Sequence, residues 1–236
     1  MSTEVIVGLD IGTSSVKAVA ADGDGNVVAS ARVPHELRIP SPQRFEHDAT
    51  SAWREGPREA LAAVSQDLDV RGVSVAAMVP SLTAVDGDGV PLGPGLLYGD
   101  ERGRTGAAED STGSPAESGE LMGFLRWFSA ELDDPAGFWP AQATANHALS
   151  GEAVLDTATA ATAHPLFDWT TWDPEVTASV GARPEQFPRL VPTGWEAARI
   201  GDDGPPLASG CIDALAEQLV AGADDDGDVI VILGTT

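Results

Sequence analysis

The chain has 236 residues, 42% of them hydrophobic, which is enough to bury the core of one large domain or a small pair. Its 37 acidic residues against 13 basic ones give a formal net charge of -24, which repels nucleic acid and anionic lipid and argues against a polyanion-binding role. The single cysteine, Cys211, excludes an internal disulfide and any Cys-rich zinc site.

Val5-Ile6-Val7-Gly8-Leu9 is a short β-rich run, Gly12-Thr13-Ser14 turns the chain, and Val16 to Ala20 resumes in alternation, which predicts a hairpin. Asp22-Gly23-Asp24-Gly25-Asn26 supplies the next turn and Val27 to Val33 a third strand, so three antiparallel strands open the fold. A loop with Pro34, Pro40 and Pro42 follows. Asp48 is placed to cap a helical stretch reaching about Asp67, which Gly56-Pro57 interrupts. The expectation is a kink, or a helix starting near Pro57 with Leu61, Val64 and Leu68 inward.

Gly72 to Val79 reads as a buried strand, and Asp86-Gly87-Asp88-Gly89 as a hairpin turn joining it to Val90-Pro91-Leu92. Strands, helix and strand in this order predict a mixed α/β sheet. Arg104 to Glu120 is rich in Gly, Ser and acids and reads as a surface loop or short helices, whereas Leu121 to Leu132 has helical spacing. The last region begins at Leu207 with a Gly-Cys-Ile-Asp turn. A helix to Ala221, an acidic loop and a strand over 229–233 complete it.

No stretch reaches the roughly 18 apolar residues of a membrane helix. Met1-Ser2-Thr3-Glu4 lacks the basic region of a secretory signal, so a cytoplasmic protein with no membrane partner is expected. The acidity, with Lys17 the sole lysine, reads as source composition or salt adaptation and indicates no function.

The two ends of the chain echo each other. Val5 to Ser14 and Val229 to Thr236 are each an apolar strand running into Gly-Thr-Ser or Gly-Thr-Thr. Such a turn exposes backbone N–H groups that, with the hydroxyls of Thr13, Ser14, Thr235 and Thr236, can cradle phosphate oxygens. Either copy alone is also an ordinary hairpin; together they suit one nucleotide held from two sides. Asp10 beside the first copy suits a magnesium ion, and Lys17 reads either as a phosphate neighbour or as a solvent-facing strand residue.

Gly8-Leu9-Asp10-Ile11-Gly12-Thr13-Ser14-Ser15-Val16-Lys17 resembles the first phosphate motif of the FGGY carbohydrate kinases, within the actin-like ATPase superfamily. Phe45-Glu46-His47-Asp48 with Trp53 resembles the family's acidic-aromatic stretch, Leu96 to Arg102 its I-L-W-x-D-x-R segment, and Leu149 to Glu152 with Asp156 its L-T-G-x with a downstream aspartate. Gly210-Cys211-Ile212-Asp213-Ala214 resembles G-x-x-D, and Leu233-Gly234-Thr235-Thr236 the second phosphate motif. Each is weak alone, but together they follow the family's order.

The resemblance implies a ribonuclease-H-like α/β domain with a mixed sheet and flanking helices, binding ATP and Mg2+ in a cleft against a second, similar domain. Residues 1–228 would then be the amino-terminal sugar-binding domain and 229–236 the first strand and phosphate turn of a carboxy-terminal domain otherwise missing. The implied reaction is phosphorylation of a small ketose or polyol, with residues 1–236 inactive alone and a homodimer conceivable. A non-catalytic sugar-binding or dimerising module is the other reading.

By the same resemblance Asp213 is the catalytic base, at a predicted helix start whose dipole favours the carboxylate; a plain N-cap would look the same. Asp10 would hold the metal, while Gly12, Thr13, Ser14 and Lys17 with Gly234, Thr235 and Thr236 would meet the nucleotide. Tyr98 takes the place of an aromatic beside the sugar or of a core residue. Asp100 either touches substrate or pairs with Arg102. Where xylulose kinases of the family carry Met-His, this chain has Val79-Pro80, followed by Ser81 as the substitute donor to a sugar hydroxyl.

Three further patterns carry no site. Asp22, Asp24 and Asn26 open like a calcium loop, but Val27 and Val33 stand where glycine and glutamate are needed. His35, His47, His147 and His164 lack metal spacing, and Trp169 with Trp172 reads as a packed loop before a sugar platform.

Overall fold

The computed structural model describes residues 2–104, 119–201, 203–223 and 225–230. The loop expected over 104–120 therefore lies mostly outside the described residues, as does the turn at Gly234, Thr235 and Thr236.

Strands β1 (Glu4–Ile11), β2 (Ser15–Ala21) and β3 (Val27–Pro34) form the expected antiparallel meander. Alternation fixes its register. Val5, Val7, Leu9 and Ile11 are buried while Glu4, Ile6 and Gly8 face away, so a one-residue slip would turn the apolar set to water. After β4 (Glu46–His47), a π-helical turn over Ser51–Glu55 leads into α1 (Gly56–Val64), with Pro57 in its first turn. Pro57 lacks only an N–H that a first turn leaves unpaired anyway, which is why the α-helix starts there. Upstream, Asp48 Oδ1 accepts a hydrogen bond from Ser51 N at 3.1 Å, and the π turn buries Trp53.

β5 (Asp69–Ala77) runs parallel to β1. The turn at Asp86–Gly89 forms, but its first arm is not β5. That arm is a separate strand, β6 (Ser81–Val85), which pairs with β7 (Gly95–Leu97), while Val85 bridges Pro91. The run from Val73 to Val85 is nearly all apolar or small, so only Pro80 marks the change of sheet.

The helix expected near Leu121 is α2 (Glu120–Glu131). Then come β8 (Gly137–Trp139), α3 (Ala141–Ser150), β9 (Val154–Asp156), α4 (Thr157–Ala161), α5 (Pro174–Ser179), β10 (Arg189–Val191), β11 (Glu196–Arg199), β12 (Pro206–Ala208), β13 (Cys211–Ile212) and α6 (Asp213–Ala221). The expected last helix is thus present, whereas Val229 and Ile230 join no strand among the described residues.

The larger sheet has the order β11-β12-β5-β1-β2-β3, with β13 also on β5; a second sheet runs β4-β7-β6-β8, and β9 pairs with β10. Helix α3 joins the two cores. Ala141, Ala145 and Leu149, at i, i+4 and i+8, enter the core under the larger sheet, and Ala143 enters the other. The described residues contain no helix long and apolar enough to cross a membrane.

Candidate active site

Strands β1, β5 and β13 run parallel and end level with one another. Asp10 stands opposite Ala76 and Ala76 opposite Cys211; one residue later Ile11, Ala77 and Ile212 are level. Paired residues of neighbouring strands point to the same side, so Asp10 and Cys211 share the face turned from the core. Asp213 follows as the first residue of α6. Two strand spacings separate β1 from β13, on the order of 10 Å. Open α/β sheets hold ligands beyond the carboxyl ends of their strands, which is where both acids lie.

Asp213 feels the charge of Asp10. Burial, foremost, and the negative charges of Asp10 and Glu217 push the Asp213 carboxyl above its usual range, although the Ala214 N–H bonded to it pulls the other way. That bond is 2.7 Å long. Cys211 is likewise pushed up, by burial and then by the charges of Asp156 and Asp213.

A break in the ladder brings Asp213 to this position. β12 pairs with β5 at Val73 and β13 pairs with it again at Ala76, and between them Gly210 takes a left-handed φ of 88°. A side chain there would overlap the Val75 carbonyl and the Gln142 amide. Gln142 Nε2 fills the gap, donating to Val75 O at 3.0 Å and Cys211 O at 3.1 Å, and so ties α3 to the strand carrying Asp213.

The turn after Asp10 has its carbonyls occupied. Ser15 O accepts from Gly12 N at 3.1 Å, Ser14 O from His35 N at 3.0 Å, and Thr13 O bonds His47 Nε2 at 2.8 Å. The N–H groups of Thr13 and Ser14 meet no acceptor among the described residues. With carbonyls inward and N–H groups free, this turn fits an anion. Asp10 is partly exposed, and among the described residues its side chain bonds only Lys17, at 3.1 Å, across the β1–β2 pair. An exposed pair of this kind is worth little, so the carboxylate stays available to a hydrated divalent cation.

Beside this turn lies a pocket of about 260 Å³ lined by Thr13, Leu37, Phe45, Leu97, Tyr98 and Gly99. Tyr98 OH is 2.8 Å from Thr13 Oγ1, which puts two hydroxyls together on a mostly apolar wall. The sequence alone gives Leu37 and Phe45 no role in a site. Phe45 stood within the acidic-aromatic motif, whereas nothing local distinguishes Leu37.

Four residues expected at the substrate, Val79, Pro80, Ser81 and Asp100, do not line this pocket. Asp100 is fully buried and bonds the Phe45 N–H at 2.7 Å and Arg102 Nη2 at 2.6 Å. Arg102 also pairs with Glu46 at 2.8 Å and stacks over Trp127 at 4.9 Å. Asp100 thus supports the pocket wall through Phe45. Ser81 is buried with its hydroxyl occupied, donating to Met78 O and accepting from Ala141 N, each at 3.1 Å. Together Val79, Pro80 and Ser81 line a cavity of about 20 Å³, room for one water and not a sugar. Trp172 stacks on Phe187 in the core, while Trp169 is exposed.

Residues 5–205 match the model of the N-terminal domain of the FGGY family of carbohydrate kinases. The chain is 32% identical over 107 residues to a xylulose kinase of Staphylococcus epidermidis, a match covering 43% of this chain and 21% of that one. It is 24% identical over 261 residues to a gluconokinase of Bacillus subtilis, covering 99% and 51%. Among solved structures, the xylulose kinase from Rhodospirillum rubrum superposes with a TM-score of 0.80 at 25% identity, over 95% of this chain and 52% of that one. The chain therefore spans about half the length of these relatives. The shared architecture is the ribonuclease-H-like fold of the actin-like ATPases. On the domain match and the superposition together, the chain belongs to the FGGY family of carbohydrate kinases and carries its N-terminal domain.

Proposed function

We propose that this domain serves a kinase that transfers the γ-phosphoryl group of ATP to a hydroxyl of a small sugar or polyol. The observation that carries the reading is the level ending of β1, β5 and β13, which sets Asp10 and Asp213 on one end of one sheet within electrostatic reach.

In this reading Asp213 accepts the proton of the attacking hydroxyl as its oxygen bonds to phosphorus and the bond to the departing ADP breaks. The raised pKa makes Asp213 a stronger base than an ordinary carboxylate. The N–H groups of Thr13 and Ser14 receive phosphate oxygens, and the pocket beside Tyr98 and Phe45 takes the sugar's C–H face. Asp10 would hold magnesium through water, and the bound ion supplies charge to offset the phosphates.

The test is ATP consumption by the full-length protein across ketoses, polyols and aldonates. Stoichiometric formation of ADP and a sugar phosphate with at least one compound is expected, and none from residues 1–236 alone. Sugar binding without transfer by the full-length protein would favour the non-catalytic module instead.

A pH prediction follows from the neighbours of Asp213. Its base form is lost as pH falls through its raised pKa, so kcat/KM should drop on an acid limb above the usual carboxylate range. Glu217→Gln removes one of the charges that raise it. The limb should then move to lower pH, and an unmoved limb would exclude Asp213 as the group titrating.

A further inference from the structure

Resting on the phosphate role of the Gly12–Ser15 turn, we infer that His47 is a positioning residue for nucleotide binding, locked by Trp53 as the tautomer that donates to the Thr13 carbonyl. The indole N–H is a donor only, and Trp53 Nε1 lies 3.1 Å from His47 Nδ1, so Nδ1 must accept. The ring proton is then on Nε2, which donates to Thr13 O at 2.8 Å.

His47 and Trp53 are both fully buried. His35 packs edge-on against His47 with ring centroids 4.4 Å apart, its own ring turned toward the Gly12 and Ser15 backbone without a hydrogen bond of good geometry. Burial and then the neighbouring His35 depress the His47 pKa to about 4, so the imidazole stays neutral throughout the working range.

The consequence is directional. The Thr13 carbonyl and the Ser14 N–H belong to one rigid peptide plane and point opposite ways. A donor fixed behind the carbonyl therefore aims the N–H outward. His35 does the same for the next peptide with its backbone N–H on Ser14 O. Only the first of these two holds depends on a side chain.

Selective 15N-histidine labelling of the full-length protein should show His47 as the neutral Nε2–H form at about pH 6, where an ordinary histidine is largely charged. A charged or Nδ1–H ring would overturn the inference. In the same protein His47→Leu should raise KM for Mg-ATP about tenfold with sugar KM changed less than about twofold, and His47→Gln, which keeps a donor at similar reach, should recover most of it. An unchanged nucleotide KM, or equal defects in the two variants, would overturn it as well. If the leucine variant does not fold, Trp53→Phe serves: it frees Nδ1, and a mixed tautomer signal with a raised nucleotide KM is expected, whereas wild-type spectra and KM would overturn the inference. A rise in sugar KM alone, with the tautomer as expected, would overturn it through the turn's assignment to phosphate and leave Asp213 as base untouched.

Discussion

Asp213→Asn in the full-length kinase should lower kcat by about 10²–10⁴-fold, the usual contribution of a positioned general base, with sugar affinity nearly unchanged. Asparagine keeps the size of the side chain and an oxygen for the Ala214 N–H, which Asp213 now bonds at 2.7 Å, but it takes up no proton. A capping carboxylate without chemistry would show the opposite pattern, with turnover preserved.

Stability separates the two roles further. The fold raises the Asp213 pKa, so the folded chain holds that proton more tightly than the unfolded one. The resulting stabilisation is complete below the unfolded carboxyl's pKa and is lost as pH rises through the raised value. At pH above the raised value the buried charge is then a cost that asparagine does not carry. There the variant should melt at or above the wild-type temperature, with the difference closing in acid. Turnover lost together with a lower melting temperature would point to disrupted structure instead of a lost base.

Gly210→Ala should be the most damaging single methyl in the site. Alanine at a φ of 88° is strained, and its methyl would overlap the Val75 carbonyl and the Gln142 amide, neither of which can leave without breaking the bonds that hold Cys211. Strain and clash together cost at least about 3 kcal/mol, which for a domain of this size lowers the melting temperature by roughly 6–12 °C. Activity should fall as well, because Asp213 is only three residues on. Gly222→Ala is the control: φ there is 65° with nothing near the added methyl, so only about 1–2 kcal/mol is expected. Equal melting temperatures for the two variants would show that the Gly210 crossing is not tightly packed.

Legibility followed locality. The meander could be read because Gly-Thr-Ser and Asp-Gly-Asp-Gly-Asn turns bracket alternating runs, and α6 because Gly210 and Asp213 mark its start in the sequence itself. β6 could not be separated from β5, since an apolar run in one sheet looks the same as two runs in different sheets. For Asp100 the sequence leaves open a sugar contact or a pair with Arg102, and Ser81 reads as a donor to a sugar hydroxyl. The structure occupies them with Arg102 and Phe45, and with Met78 and Ala141, partners that only the tertiary fold supplies. Leu37 and Phe45 reach the pocket across the meander, and His47 meets Thr13 across 34 residues. Distances of that kind leave no periodic trace in a single chain.

In the proposed function, Asp10 and Asp213 face one groove in which a metal-bound nucleotide and a sugar meet. A crystal structure of the full-length protein with magnesium, a non-hydrolysable ATP analogue and its sugar tests this by one distance. The reactive hydroxyl is expected about 2.6–3.2 Å from an Asp213 carboxylate oxygen, or one water away, with the metal on the Asp10 side. A sugar bound out of reach of Asp213, or a metal on the other face of the sheet, would contradict it.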